Sequence, residues 1–124
     1  MKILATSFVL MVVSTWSLAQ SSQPPADSLF IVTYTTGPSW DHAKGPGEQP
    51  HFKEHSANLG SWRKQGIIKF GARYGDKGII FLSAASGTAA RTLVLGDPAV
   101  VNKLFNADIQ KLSPFYFGCI EKTP

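Results

Sequence analysis

Histidines and carboxylates are the groups in this sequence that could move a proton or hold a metal. There are three histidines and eight acidic residues in 124 positions. His55 stands between Phe52 and Leu59 at helical spacing, so it belongs to an apolar stripe and is expected to be partly buried. Burial weakens a histidine's hold on its proton and a neighbouring carboxylate strengthens it; the balance suits a general acid or base. The plainer alternative is a core histidine bonded to a backbone carbonyl. Asp97 precedes Pro98, the signature of a helix N-cap, and its two oxygens could cap the helix and also orient a histidine ring. Trp40, Asp41 and His42 fall together in a Gly- and Pro-rich stretch, where large functional side chains often sit on a loop.

His51 and His55 are four residues apart, a spacing seen in metal sites, with Asp41 or His42 as a possible third ligand. On a regular helix they diverge by about 40°. No Cys cluster or His-Glu-x-x-His motif accompanies them, so no metal is expected. The glycines around Gly45–Gly47 and Gly75–Gly78 do not form a phosphate loop. Ser86-Gly87 is not a nucleophile elbow. No cofactor is expected.

The elements that must carry these residues follow from periodicity. Residues 29–35 are β-branched and aromatic, a strand. Residues 36–47 form a loop. Residues 49–65 are a helix whose face is Phe52, His55, Leu59 and Trp62, stopped by Gly66. A strand over 67–73, a turn over 74–78 and an apolar strand over 79–84 make a hairpin. Ser86 caps a second helix, closed by Gly96. Asp97-Pro98 opens a short third helix with Val100, Val101, Leu104 and Phe105 as its apolar side. The last strand is expected over 108–117, interrupted at Pro114, which has no N–H to donate. The order is an α+β, ferredoxin-like split βαβ arrangement, β-α-β-β-α-β. Its four-stranded antiparallel sheet has helices on one face only. The bare face is rich in Phe, Ile and Val, and a second copy of the sheet is its simplest cover, giving a homodimer.

The N-terminus reads as an address. Met1-Lys2 is a short basic region, residues 3–13 are mostly apolar, and Ser17 and Ala19 are small residues at the positions a signal peptidase reads. Residues 1–19 are therefore a signal peptide cleaved after Ala19. The apolar core is about a dozen residues, short of the roughly 20 that span a bilayer, so no stable membrane insertion is expected after cleavage. The product is periplasmic or secreted. Residues 20–28 are polar and Pro-rich, a disordered tether. The formal charge of +4 falls by the one lysine removed, and the remaining Lys and Arg are scattered, which argues against a nucleic-acid partner. Cys119 is the only cysteine, which excludes an internal disulfide; in an oxidising compartment it is either buried or pairs between chains, and its neighbours Phe117 and Ile120 favour burial.

Several features also line up in order: Thr33-Tyr34-Thr35, Gly37-Pro38-Ser39-Trp40-Asp41, Glu48-Gln49-Pro50 before Phe52-Lys53-Glu54-His55, Gln65-Gly66, Gly71, Gly96-Asp97-Pro98-Ala99-Val100 and Phe117-Gly118-Cys119. Together they resemble the YCII-related family over about residues 29–119, nearly all of a domain spanning 29–120. The resemblance implies a dimeric α+β barrel with a His-Asp dyad, here His55 and Asp97, facing a pocket. A few relatives act on phenolic or quinone-like small molecules, with the dyad as acid–base. Tyr34, Trp40 and Arg73 would then bind the substrate. Relatives often have Gly-Pro where this chain has Gly71-Ala72, and Arg73 is expected to alter the pocket charge. Most relatives are cytoplasmic, whereas this chain carries an export signal.

Overall fold

Alternation decides which side of each strand meets the helices. In strand β1 (Ser28–Thr36), Phe30, Val32 and Tyr34 are buried and the residues between them half-buried, the period of two that a strand imposes. The computed structural model in which this is seen describes residues 27–118. The stretch expected to be a signal peptide (1–19), the expected tether as far as residue 26, and Cys119 with Ile120 lie outside the described residues. Asp27 and Ser28 belong to the domain rather than the tether: Ser28 begins β1, and the Asp27 carboxylate accepts a 3.0 Å bond from the Ser83 hydroxyl.

The remaining elements are α1 (Phe52–Lys64), β2 (Ile68–Tyr74), β3 (Lys77–Ala84), α2 (Gly87–Leu95), α3 (Pro98–Val101) and β4 (Phe105–Leu112). The four strands form one sheet in the order β2-β3-β1-β4, with every neighbouring pair antiparallel. This is the α+β, ferredoxin-like arrangement. The register aligns Phe30 with Leu82 and Val32 with Ile80, and this row meets Trp62 of α1 and Ala90 and Val94 of α2 to make the core. The opposite face carries Ile31 beside Phe81 and Phe81 beside Phe70, whose rings lie 5.3 Å apart. These residues are half-buried, on the side away from the helices.

Local chemistry ends the elements. Gly66 takes φ +74° just past α1, a conformation that costs an L side chain energy. The Ser86 hydroxyl accepts from the Ala89 N–H at 3.1 Å, and Asp97 caps α3 in the same way through Ala99.

Three boundaries differ from the sequence expectation. Helix α1 starts at Phe52 rather than 49, because His51 adopts φ 68° and the Gln49 side chain is committed to the preceding loop. The third helix is a single turn: Lys103 turns left-handed at φ 59° and delivers Phe105 onto the sheet, while Val101, expected on the apolar side, is 61 % exposed. The last strand therefore runs 105–112 rather than 108–117. It ends where Leu112 pairs with Leu29, one residue from the start of β1, so nothing further remains to pair with. Phe115 and Phe117, expected in that strand, are exposed.

Candidate functional site

The apolar stripe of α1 places His55 against the sheet, and the N-cap of α3 brings Asp97 up behind it. The His55 Nδ1 lies 2.8 Å from Asp97 Oδ1, with both side chains buried. The second oxygen, Oδ2, accepts from Asn58 Nδ2 at 2.7 Å, and Oδ1 also accepts from the Ala99 N–H at 2.9 Å. Burial by itself pushes the Asp97 carboxyl upward. The hydrogen bonds from His55 and Asn58, the charge of His55 and the Ala99 N–H outweigh it, and the carboxyl is held below its ordinary range. An ionised carboxylate only accepts, so Nδ1 carries the proton and Nε2 is the nitrogen left to exchange one.

His55 also lines a cavity of about 650 Å³; Asp97 does not, and acts from behind the ring. On the sheet side two glycines leave room for the cavity. Gly71 and Gly78 both lie on its floor, on neighbouring strands, and a Cβ added at Gly78 would meet nothing closer than Tyr34 Cβ at 3.9 Å. Phe105 contacts the His55 ring at 5.1 Å between centroids and Trp40 at 5.5 Å, and Phe52 closes the same wall. Trp62 is in the core and Trp40 stands on the wall, so neither fills the space.

Tyr34 meets His55 edge-on at 5.3 Å and also lines the cavity. Its hydroxyl is buried and, among the described residues, has no hydrogen-bond partner. Burial and the nearby Asp97 charge raise its pKa well above the usual tyrosine value, so it stays protonated. A buried polar group left unpaired costs about 1–3 kcal/mol. Arg73 lies on the rim with Asp76 and His42; among the described residues it forms no ion pair.

Of the residues singled out from sequence, His55 and Asp97 are in contact, and Tyr34, Trp40 and Arg73 surround the same cavity. Asp41 is turned to another task. Its Oδ1 accepts from the Ala43 N–H at 2.9 Å, and that bond together with Lys44 at 3.5 Å lowers its pKa. His51 is exposed and precedes the helix, so the regular four-residue spacing to His55 does not apply. Among the described residues no three His, Cys, Asp or Glu side chains gather as metal ligands.

Two polar residues were not singled out from sequence. Asn58 follows His55 by three positions, on the same side of α1, and that spacing was the available signal. Gln49 is buried: it donates to the carbonyls of Asp41 at 2.6 Å and Lys44 at 3.1 Å and accepts from the Asp41 N–H at 3.0 Å, so it staples the loop that carries Trp40. No protein-family model matches the chain, and no curated protein matches it.

Proposed function

We propose that this domain is an exported small-molecule site in which His55 acts as general acid and base on an aromatic or quinone-like molecule. One observation carries the reading: the 2.8 Å contact between His55 and the buried Asp97, on a ring that lines an aromatic-walled cavity. Asp97 fixes the tautomer, leaving the Nε2 lone pair available to accept a proton. It then stabilises the imidazolium that forms, and its lowered pKa keeps it ionised throughout. Phe52, Phe105 and Trp40 supply stacking surfaces. This is the arrangement expected of a YCII-related domain. The sheet face around Ile31, Phe70 and Phe81, which no described helix covers, supports the homodimer that the resemblance implies, and the basic, apolar and small-residue order of residues 1–19 supports cleavage after Ala19 and a periplasmic or secreted product.

A second reading is a binding or accessory module without turnover. The Tyr34 hydroxyl supports it: buried and without a protein partner among the described residues, it is a group that a ligand oxygen would pair with whether or not a proton moves. Two measurements separate the readings. Small aromatic acids and phenols should raise the melting temperature of the wild type but not of Gly78→Leu, whose side chain fills the cavity, nor fully of His55→Ala. Proton NMR of a bound ligand in D2O should then show loss of an exchangeable C–H signal with wild type and not with His55→Gln. Stabilisation without exchange in either protein would leave the binding module and remove the catalyst.

A further inference from the structure

The register places three positions in one row across the sheet: Tyr34 on β1 opposite Gly78 on β3, and Gly78 opposite Arg73 on β2. All three line the cavity. The two outer residues are about two strand spacings apart, roughly 10 Å between backbones, and the residue between them has no side chain. A flat molecule can therefore lie over Gly78 with one end at Tyr34 and the other at Arg73. Each end offers a polar group free to take a ligand. The Tyr34 hydroxyl is buried and, among the described residues, unpartnered, and buried hydroxyls in folded proteins nearly always have a partner. The Arg73 guanidinium, among the described residues, has no carboxylate in ion-pair range although Asp76 shares the rim. A guanidinium takes a carboxylate through two parallel hydrogen bonds.

We propose that the cavity selects an aromatic carboxylate bearing a second, uncharged oxygen, with Arg73 holding the carboxylate and the Tyr34 hydroxyl donating to the other oxygen beside His55. The orientation follows from charge. Asp97 lies close enough to Tyr34 to oppose its ionisation, so an anionic group at that end is repelled while a carbonyl or hydroxyl oxygen is accepted. The carboxylate goes to the far end, where Arg73 faces solvent. Tyr34 thereby sets which atom of the ligand is presented to His55, whose ring it contacts at 5.3 Å. The assignment rests on the reading that the cavity holds a small molecule, and adds the class of molecule and the two groups that select it.

Calorimetric titration of the purified protein with 4-hydroxybenzoate, benzoate, 4-hydroxybenzamide and phenol tests it. Wild type should bind 4-hydroxybenzoate about tenfold more tightly than benzoate, which lacks the second oxygen, and about tenfold more tightly than the amide, which lacks the charge. Tyr34→Phe, which keeps the ring, should abolish the first preference and keep the second. Arg73→Gln should do the reverse. Phenol binding that is lost in Gly78→Leu, with no preference for either added group, would overturn this selectivity and leave the cavity reading standing. Binding of no probe to wild type would overturn both.

Discussion

Asn58 donates to the one oxygen of Asp97 that His55 leaves free, at 2.7 Å. The carboxylate is thus held from both sides by residues of one helix, three positions apart, while its own N-cap duty is met by the Ala99 N–H. Asn58→Ala leaves a lone pair of a buried carboxylate unsatisfied. The expected cost is about 1–3 kcal/mol in urea unfolding at pH 7. The Asp97 pKa should rise toward the ordinary carboxylate range, since one of the bonds holding it down is gone. Asn58→Asp should be worse than Asn58→Ala, because it sets a second negative charge against the first. If the two variants were equally stable as wild type, Asn58 would not be positioning Asp97.

The same carboxylate fixes how stability depends on acid. Its folded pKa lies below its unfolded value, which is about 3.9 for an aspartate. Between those two values the unfolded chain binds more protons than the folded one, so stability rises with pH in that window. The contribution of Asp97 is complete above the unfolded value and is lost as pH falls through the folded one. Asp97→Asn should be less stable than wild type at pH 7. The gap between the two proteins should close as the pH is lowered from about 5 toward 2. Chemical denaturation at several pH values measures it, and a gap independent of pH would show that Asp97 contributes as a cap and not as a charge.

Much of the architecture could be read from local pattern, and the reasons for what could not are specific. The β-branched and aromatic run in β1 and the stripe Phe52, His55, Leu59, Trp62 declare their faces by periodicity alone. The stripe also told that His55 would be buried, though not which group it would meet. The partner lies 42 residues away, and only the closing of α3 over α1 decides the distance. The start of β4 was hidden because Leu104-Phe105 continues an apolar helical pattern, and the left-handed turn that breaks it falls on Lys103, a residue with no special preference for it. The end of β4 was hidden because Phe115 and Phe117 have strand propensity, and a strand also needs a neighbour to bond to. Nothing in the sequence marks the Tyr34 hydroxyl as unpaired: that it lacks a partner among the described residues is a fact of packing.

Gly37 is expected to tolerate no side chain. Its N–H donates to the Leu104 carbonyl at 2.8 Å, and a Cβ there would overlap the Lys103 carbonyl, which is backbone and is also bonded to the Ser39 N–H at 3.0 Å. The crossing fixes where the loop leaves β1 and so where Trp40 reaches Phe105. Gly37→Ala should destabilise by about 1–3 kcal/mol, the usual cost of forcing atoms into packed space. It should also weaken binding of aromatic ligands, because the wall moves with the loop. Unchanged stability in urea would mean that the crossing opens freely.

His51 holds φ 68° without being glycine. The conformation costs an L residue roughly 1 kcal/mol, and the exposed imidazole has no side-chain cap bond to offset it. His51→Gly removes the steric penalty and adds flexibility to the unfolded chain. The net expectation is neutral to about 1 kcal/mol stabilising, with His51→Val clearly destabilising because a β-branched residue fits that region worst. Thermal melts of the two variants check the order, and a destabilised His51→Gly would show that the imidazole itself contributes at the start of α1.

On the sheet face opposite the helices, an apolar patch spans three strands. Ile31 aligns with Phe81 across β1 and β3, and Phe81 with Phe70 across β3 and β2, so three large apolar side chains adjoin near the middle of that face. If a second copy covers them, Phe81→Lys puts two uncompensated charges into a buried interface, and the protein should sediment as a monomer where wild type at micromolar concentration has twice the monomer mass. Stability should fall as well, and that of wild type should rise with protein concentration, since a dimer gains by mass action. If the face is solvent-exposed in the native protein, the same substitution replaces an exposed ring by a charge: mass should be unchanged and solubility should improve. Ligand binding separates a damaged fold from a lost interface, because the cavity lies on the helix side of the sheet. A monomeric Phe81→Lys that still binds aromatic acids would show that each copy carries a complete site.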